Sequence, residues 1–364
     1  MKVKLHTLSC VLALVAGVHP VLAQPTLSIA AIGNQLVLFW TATPTNYVLQ
    51  SATNPASPNW VTASDTVPVV AATVSNTSPA RFFRLINLTA GMELIPAGSF
   101  SMGDTLDGEF DAVPTNIYVS AFCMDMNLVS YGLWTNVYAY ATGQGYSFVN
   151  AGAGKGTNYP VEAVDWYDCV KWCNARSQLA GLTPVYYADA GLTEVYKTGE
   201  ATPYVNWAAD GFRLPTEAEW EKAARGGLSG RRFPWGNLIG QSQANYYGQI
   251  SAYSYDLGPT GYNAIGSVGG TSPATSPVGS FNVNGYGLYD MAGNVSEWCW
   301  DWYGTPYGQP TPINPTGPAG DTGNHVLRGG GWYSRAASVR CAGRSYIFPA
   351  DADTSFGFRC VRGL

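Results

Sequence analysis

NGYGLYDMAGNVSEWCWDW, residues 284–302, sets a glycine-rich loop bearing Asn, Asp and Glu directly before a run of aromatic residues. Asp290 and Glu297 supply charged oxygens, and Gly293 lets the backbone turn tightly enough for the Gly293 and Val295 carbonyls to face the same point. The pattern predicts a hard-cation site walled by aromatic rings. The next glycine-rich stretch, VLRGGGWYSRAASVRCAGR at 326–344, adds aromatic and arginine side chains.

Working outward, the N-terminus reads as a targeting segment. Lys2 and Lys4 precede an apolar run from Leu8 to Val18, and Val21-Leu22-Ala23 ends on a small residue. This predicts a cleavable signal peptide over 1–23, too short to span a bilayer. The mature chain is therefore expected to be secreted or periplasmic, with no membrane span. Removal of Lys2 and Lys4 leaves 17 basic residues against 24 acidic ones, a net charge of −7. That balance argues against nucleic-acid binding, which needs a basic face.

Of three histidines, His6 and His19 leave with the signal, so only His325 remains. A zinc or iron site built on several histidines has no raw material. His325, in a Gly/Asp-rich loop, is expected to be solvent-exposed. Cys123, Cys169, Cys173, Cys299, Cys341 and Cys360 remain after cleavage. An even count in an exported protein favours disulfides, although spacing alone selects no pairing.

Residues 24–88 carry short apolar stretches with Pro/Asn/Ser punctuation, TLSIAAI and QLVLFW being joined by the turn signal Gly33-Asn34. They predict a small β-sandwich-like module, a spacer or adhesive accessory, linked through 89–91 to a domain over 92–364. Two helices are predicted in that domain. One follows Asp165 as N-cap and closes near Gly181; the other starts at a Thr216/Glu219 capping box and stops at Gly226. With so little regular structure elsewhere, bound cations and disulfides are the economical means of ordering the loops.

Seven segments in order, MELIPAGSFSMGD (92–104), YPVEAVDWYDCVKWCNARS (159–177), GFRLPTEAEWEKAARGG (211–227), RRFPWGN (231–237), NGYGLYDMAGNVSEW (284–298), VLRGGGW (326–332) and GFRC (357–360), resemble the formylglycine-generating enzyme family, also called sulfatase-modifying factors. The resemblance covers essentially all of 92–364. It implies an α+β, C-type-lectin-like fold with little regular structure, stabilised by calcium. It assigns Asp290 and Glu297 as side-chain ligands, with Gly293 and Val295 donating carbonyls. A weaker second calcium set is Asn245, Tyr246 and, as the nearest available acid, Asp256. A Cys173–Cys360 disulfide is implied too. The family's second bridge reaches from the position of Cys341 to one occupied here by Ala224, leaving Cys341 to Cys299, Cys169, Cys123 or no partner.

The family's reaction oxidises a substrate cysteine to formylglycine with oxygen and a copper ion held by two thiolates, ligands that copper(I) selects. Both thiols are expected within the interval GGGWYSRAASVRCAGR (329–344). Here no cysteine precedes Cys341, and Ser334 stands nearest the first thiol's place. Copper is therefore not expected as a cofactor. A related iron-dependent branch needs histidines that this chain lacks.

Trp332, Tyr333, Arg335, Arg340, Arg344, Tyr346, Phe348, Asp351 and Asp353 cluster in sequence where the cleft is expected, as stacking and orienting groups for a ligand. The alternative for Trp332 and Arg344 is a plain scaffold role. Variable receptor proteins of diversity-generating retroelements, a variation on this fold, carry their binding residues in the corresponding segment. The expectation is an exported, non-oxidase, calcium-stabilised binding protein for a protein, peptide or glycan. The alternative is an active formylglycine-generating oxidoreductase with rearranged thiols.

Overall fold

The computed structural model describes six strands between Leu27 and Asn87, and residues 90–364 except 109, 111, 267–273, 305–306 and 308–311. The signal peptide over 1–23, the Gly33-Asn34 turn and the first residue of the linker at 89–91 lie outside the described residues.

The N-terminal strands are β1 (Leu27–Ile32), β2 (Gln35–Trp40), β3 (Tyr47–Ala52), β4 (Val61–Thr62), β5 (Ala71–Ser75) and β6 (Phe82–Asn87). They form two three-stranded antiparallel sheets, β1-β2-β5 and β4-β3-β6. Leu38 in the first and Leu49 in the second are fully buried.

The larger region is mixed α/β with short elements. Strands β7 (Met92–Ile95), β8 (Gly98–Met102), β9 (Thr115–Val119) and β10 (Phe122–Asp125) lead into helices α1 (Tyr131–Gly143) and α2 (Trp166–Leu179). Then come β11 (Tyr186–Tyr187), β12 (Tyr204–Val205), helix α3 (Glu217–Ala224), and β13 (Ser296–Trp302), β14 (His325–Arg328), β15 (Arg344–Ile347), β16 (Phe356–Gly357) and β17 (Val361–Gly363). The largest sheet here runs β15-β14-β13-β16, with β13 parallel to β16. The C-terminal β17 returns beside β10 in the sheet β17-β10-β7.

Two helices start where the sequence places them. Asp165 accepts from the Asp168 amide at 2.7 Å, and Thr216 and Glu219 close a reciprocal capping box. Helix α1 was not anticipated. Its β-branched and aromatic residues are middling helix formers, and no acid marks its first turn. Ser130 nevertheless caps it, and Trp134, Val137 and Ala141 bury one face at helical spacing. That spacing was the available signal.

Aromatic packing holds the helices to the sheet. The Trp134 and Trp172 rings stack with centroids 5.7 Å apart, and Phe358 meets both edge-on. A second apolar cluster joins α3 through Trp220 to Phe122, Met291, Cys299 and Cys341. The loop at 284–302 ends as central strand β13, so its turn is anchored between these two clusters.

Candidate functional site

The turn before β13 is conformationally demanding. Asp290, Gly293 and Asn294 have φ of 56°, 82° and 67°, the left-handed region that glycine and asparagine tolerate best. A Cβ on Gly293 would lie 2.2 Å from the Asn245 carbonyl oxygen, so only glycine fits. Asn294, which the sequence reading passed over, is fully buried. It takes the Ser276 amide on Oδ1 at 3.0 Å and gives Nδ2 to the Ser276 carbonyl at 3.1 Å. Its left-handed position beside Gly293 was the clue available.

Asp290 is buried with one oxygen engaged. Oδ2 accepts the Gly279 amide at 2.7 Å, whereas Oδ1 has no hydrogen-bond partner. Burial pushes its carboxyl up to about 6, with Arg359 opposing the shift and the nearby Glu297 adding to it. Glu297 is fully buried and lies in the fork of Arg359, at 2.7 Å from Nε and 3.0 Å from Nη2. Arg359, inside the GFRC segment, also donates to the Tyr289 carbonyl at 2.9 Å. The carbonyls of Gly293 and Val295 accept no backbone hydrogen bond from the described loops. The turn therefore joins one half-satisfied carboxylate, one carboxylate with lone pairs left beyond the guanidinium, and two uncommitted carbonyls. This donor chemistry fits a hard cation. A hollow lined by Trp235, Gln243, Asn282 and Asn284 reaches Asp290 from outside.

The weaker second set is differently disposed. Asp256 accepts the Tyr246 hydroxyl at 2.5 Å, the Gly258 amide at 2.9 Å and the Gln249 amide at 2.7 Å. In the described structure Asp256 ties its own loop, with the Tyr246 hydroxyl as one of its donors. Asn245 donates Nδ2 to the Ala274 carbonyl at 2.8 Å, and its Oδ1 is unpartnered.

All six described cysteines are buried. Cys173 and Cys360 bring their Sγ atoms to 3.6 Å, side by side as the implied pairing needs. Cys299 and Cys341 share the second apolar cluster, and burial holds both thiols protonated, Cys341 up to about 12. Ser334 accepts the Gly331 amide on its hydroxyl at 3.0 Å and the Tyr247 amide on its carbonyl at 2.9 Å.

The C-terminal candidates divide. Arg344 takes the scaffold position that the sequence left open beside a ligand role. Its guanidinium grips Glu217 at 2.6 and 2.8 Å and lies over the Tyr303 and Tyr307 rings. Arg340 pairs with Asp107 at 2.8 Å. Tyr346 is half exposed and packs on Tyr303 with centroids 4.1 Å apart. Trp332 instead meets Tyr262 and Tyr333, each at 5.5 Å, and gives its indole N–H to the Thr354 carbonyl. Tyr262 continues to Tyr247 at 5.0 Å. Tyr262, Tyr333, Phe348, Arg335 and Asp351 are exposed, and Asp353 takes the Ser355 amide and hydroxyl. The aromatic row Tyr247–Tyr262–Trp332–Tyr333 is exposed at Tyr262 and Tyr333, while Trp332 is buried behind them, and half its members come from a segment that the sequence does not connect with the cleft.

His325 corrects another expectation. It is fully buried at the start of β14, stacked between Trp166 at 3.9 Å and Trp302 at 3.7 Å. Strand pairing removes its Gly/Asp-rich surroundings from relevance, and burial lowers its pKa to about 3.

Glu162 was not singled out either. It is 3% exposed, Oε2 lacks a partner, and burial lifts its carboxyl from 4.5 to about 7, with Lys155 opposing and Asp353 assisting. A raised acid stabilises the fold fully below its unfolded pKa and loses that contribution as pH rises through the folded one. Without screening the shift is worth ~3 kcal/mol; with Lys155 and water nearby, about 1–2 kcal/mol is expected. Glu162→Gln should leave the melting temperature nearly unchanged at pH 5 and raise it at pH 8. Equal shifts at both pH values would count against this assignment.

A model of the sulfatase-modifying factor enzyme 1-like domain matches residues 83–364, starting upstream of Met92. The formylglycine-generating enzyme of Bos taurus is 35% identical over 288 residues, covering 73% of each chain. The chaperone protein LppX of Paenibacillus barcinonensis is 36% identical over 216 residues, covering 57% of this chain and 71% of its own. Among solved structures, Treponema denticola variable protein 1 superposes with a TM-score of 0.58 at 27% identity, over 78% of this chain and 95% of that one.

Proposed function

The chain belongs to the sulfatase-modifying factor enzyme 1-like family, and from that premise we propose an exported, calcium-stabilised binding protein without the family's copper-oxidase centre. Residues 1–23 act as its signal peptide, giving a secreted or periplasmic protein, and 24–88 as a small β-sandwich-like accessory module. Calcium at Asp290, Glu297 and the Gly293 and Val295 carbonyls supplies positive charge that orders the turn before β13. The Cys173–Cys360 pair, already in contact, closes as a disulfide. Tyr333 and Arg335, extended by Tyr262 and backed by the buried Trp332, contact a protein, peptide or glycan ligand, the exposed aromatic faces suiting stacking.

One observation carries the departure from oxidase chemistry. Between Gly331 and Cys341 there is no cysteine, and the Ser334 hydroxyl closes its own turn instead. A serine hydroxyl does not replace a thiolate on copper(I). The second reading, an active formylglycine-generating oxidoreductase, draws support from 35% identity to the bovine enzyme and from Cys299 and Cys341 sharing one cluster.

Anaerobic copper(I) titration of the reduced protein decides between them. The expected result is no stoichiometric thiol-dependent binding, with no formylglycine produced from a cysteine peptide bearing a sulfatase motif. Stoichiometric binding lost in Cys341→Ser would overturn the non-oxidase reading.

A further inference from the structure

Asn127, one residue beyond the Met126 that follows β10, carries a second buried oxygen with no hydrogen-bond partner beside the Asp290 turn. The two segments are tied together: the Tyr289 amide donates to the Met126 carbonyl at 2.8 Å, and Arg359 reaches the same carbonyl at 3.3 Å. Gly279 approaches both the Asn127 and the Asp290 side chains. Its amide donates to Asp290 Oδ2 at 2.7 Å, and a Cβ built on it would stand 3.0 Å from Asn127 Oδ1. Gly279 has φ of 73°, so backbone conformation and space both keep this position free of a side chain.

Asn127 Oδ1 and Asp290 Oδ1 are acceptors only, and each buried acceptor left unpaired costs about 1–3 kcal/mol. Two such oxygens, on side chains that both approach Gly279, are answered together by one positive centre within reach of both. No lysine or arginine pairs with Asp290 among the described ion pairs, since Arg359 is engaged by Glu297. An amide oxygen and a carboxylate oxygen are both ligands that calcium takes.

We infer that Asn127 is a further ligand of the calcium ion, so that β10 and the turn before β13 are joined through the metal. This rests on the reading of the Asp290 turn as a calcium loop. The bound ion then couples the β17-β10-β7 sheet to the β15-β14-β13-β16 sheet, a link that loop ordering alone does not supply.

Isothermal titration of the full, chelator-stripped chain with calcium chloride tests this, with circular dichroism confirming that each variant folds. Asn127→Ala is expected to weaken affinity by roughly 10- to 100-fold, as loss of a supporting metal contact does. Asn127→Asp should bind more tightly than wild type, and Asp290→Asn should bind far more weakly. Unchanged affinity in Asn127→Ala, with affinity lost in Asp290→Asn, overturns the role of Asn127 and leaves the calcium loop standing. Absence of binding by the wild-type chain overturns both.

Discussion

Calcium added to chelator-stripped protein is expected to raise its melting temperature by roughly 5–10 °C. At a free concentration 100 times the dissociation constant, a ligand that binds only the folded state stabilises it by about 2.7 kcal/mol. For a domain of this size, 1 kcal/mol moves the midpoint by about 2–4 °C. The effect arises because Asp290 is buried with an unpartnered oxygen, so the calcium-free turn carries an uncompensated acceptor. Asp290→Asn should abolish most of the difference. Scanning calorimetry with and without chelator measures it, and superimposable curves for the wild-type chain would sink the calcium assignment.

Arg359→Met is expected to destabilise the calcium-free protein by about 3–5 kcal/mol. The substitution leaves Glu297 fully buried without its counter-charge, and breaking one side of a buried pair costs that much. It also strips the Tyr289 carbonyl of its donor. Adding Glu297→Gln to Arg359→Met should restore part of the loss, because the stranded charge is then gone. The deficit should also shrink in saturating calcium, where the ion answers for the Glu297 carboxylate. Urea denaturation of the four combinations reads the coupling; a loss under 1 kcal/mol in the single variant would show the pair to be ornamental.

The parts of this molecule that were legible in the sequence are those governed by short-range rules. Asp165, Thr216 and Glu219 cap their helices because a side-chain oxygen three residues from an orphan amide has few other options. The approach of Cys173 to Cys360, 187 residues apart, follows no such rule and was expected only through the family resemblance. Long-range partnership was not legible. Nothing local distinguishes Arg359, which neutralises Glu297 from 62 residues away, from Arg344, which serves Glu217 from 127 residues away. The sequence therefore left Arg344 open between ligand and scaffold roles, and it did not show Tyr262 extending the aromatic row. For Asp256 the sequence displays an acid but not the amides that surround it.

The clamping of His325 between Trp166 and Trp302 has an acid–base consequence. Imidazole is the group proteins ordinarily use to register a change around neutral pH, and it does so by gaining positive charge. This imidazole, the sole one past residue 19, stays neutral until about pH 3. Among the described residues, the response to mild acidification falls instead to buried carboxyls such as Glu162, near 7, and Asp165, also raised by burial. Proton uptake there erases negative charge and adds no positive charge. Mild acid therefore makes the surroundings of Glu162 and Asp165 more neutral and removes the penalty of burying their charges, the opposite of the charge-driven loosening that a titrating buried histidine produces.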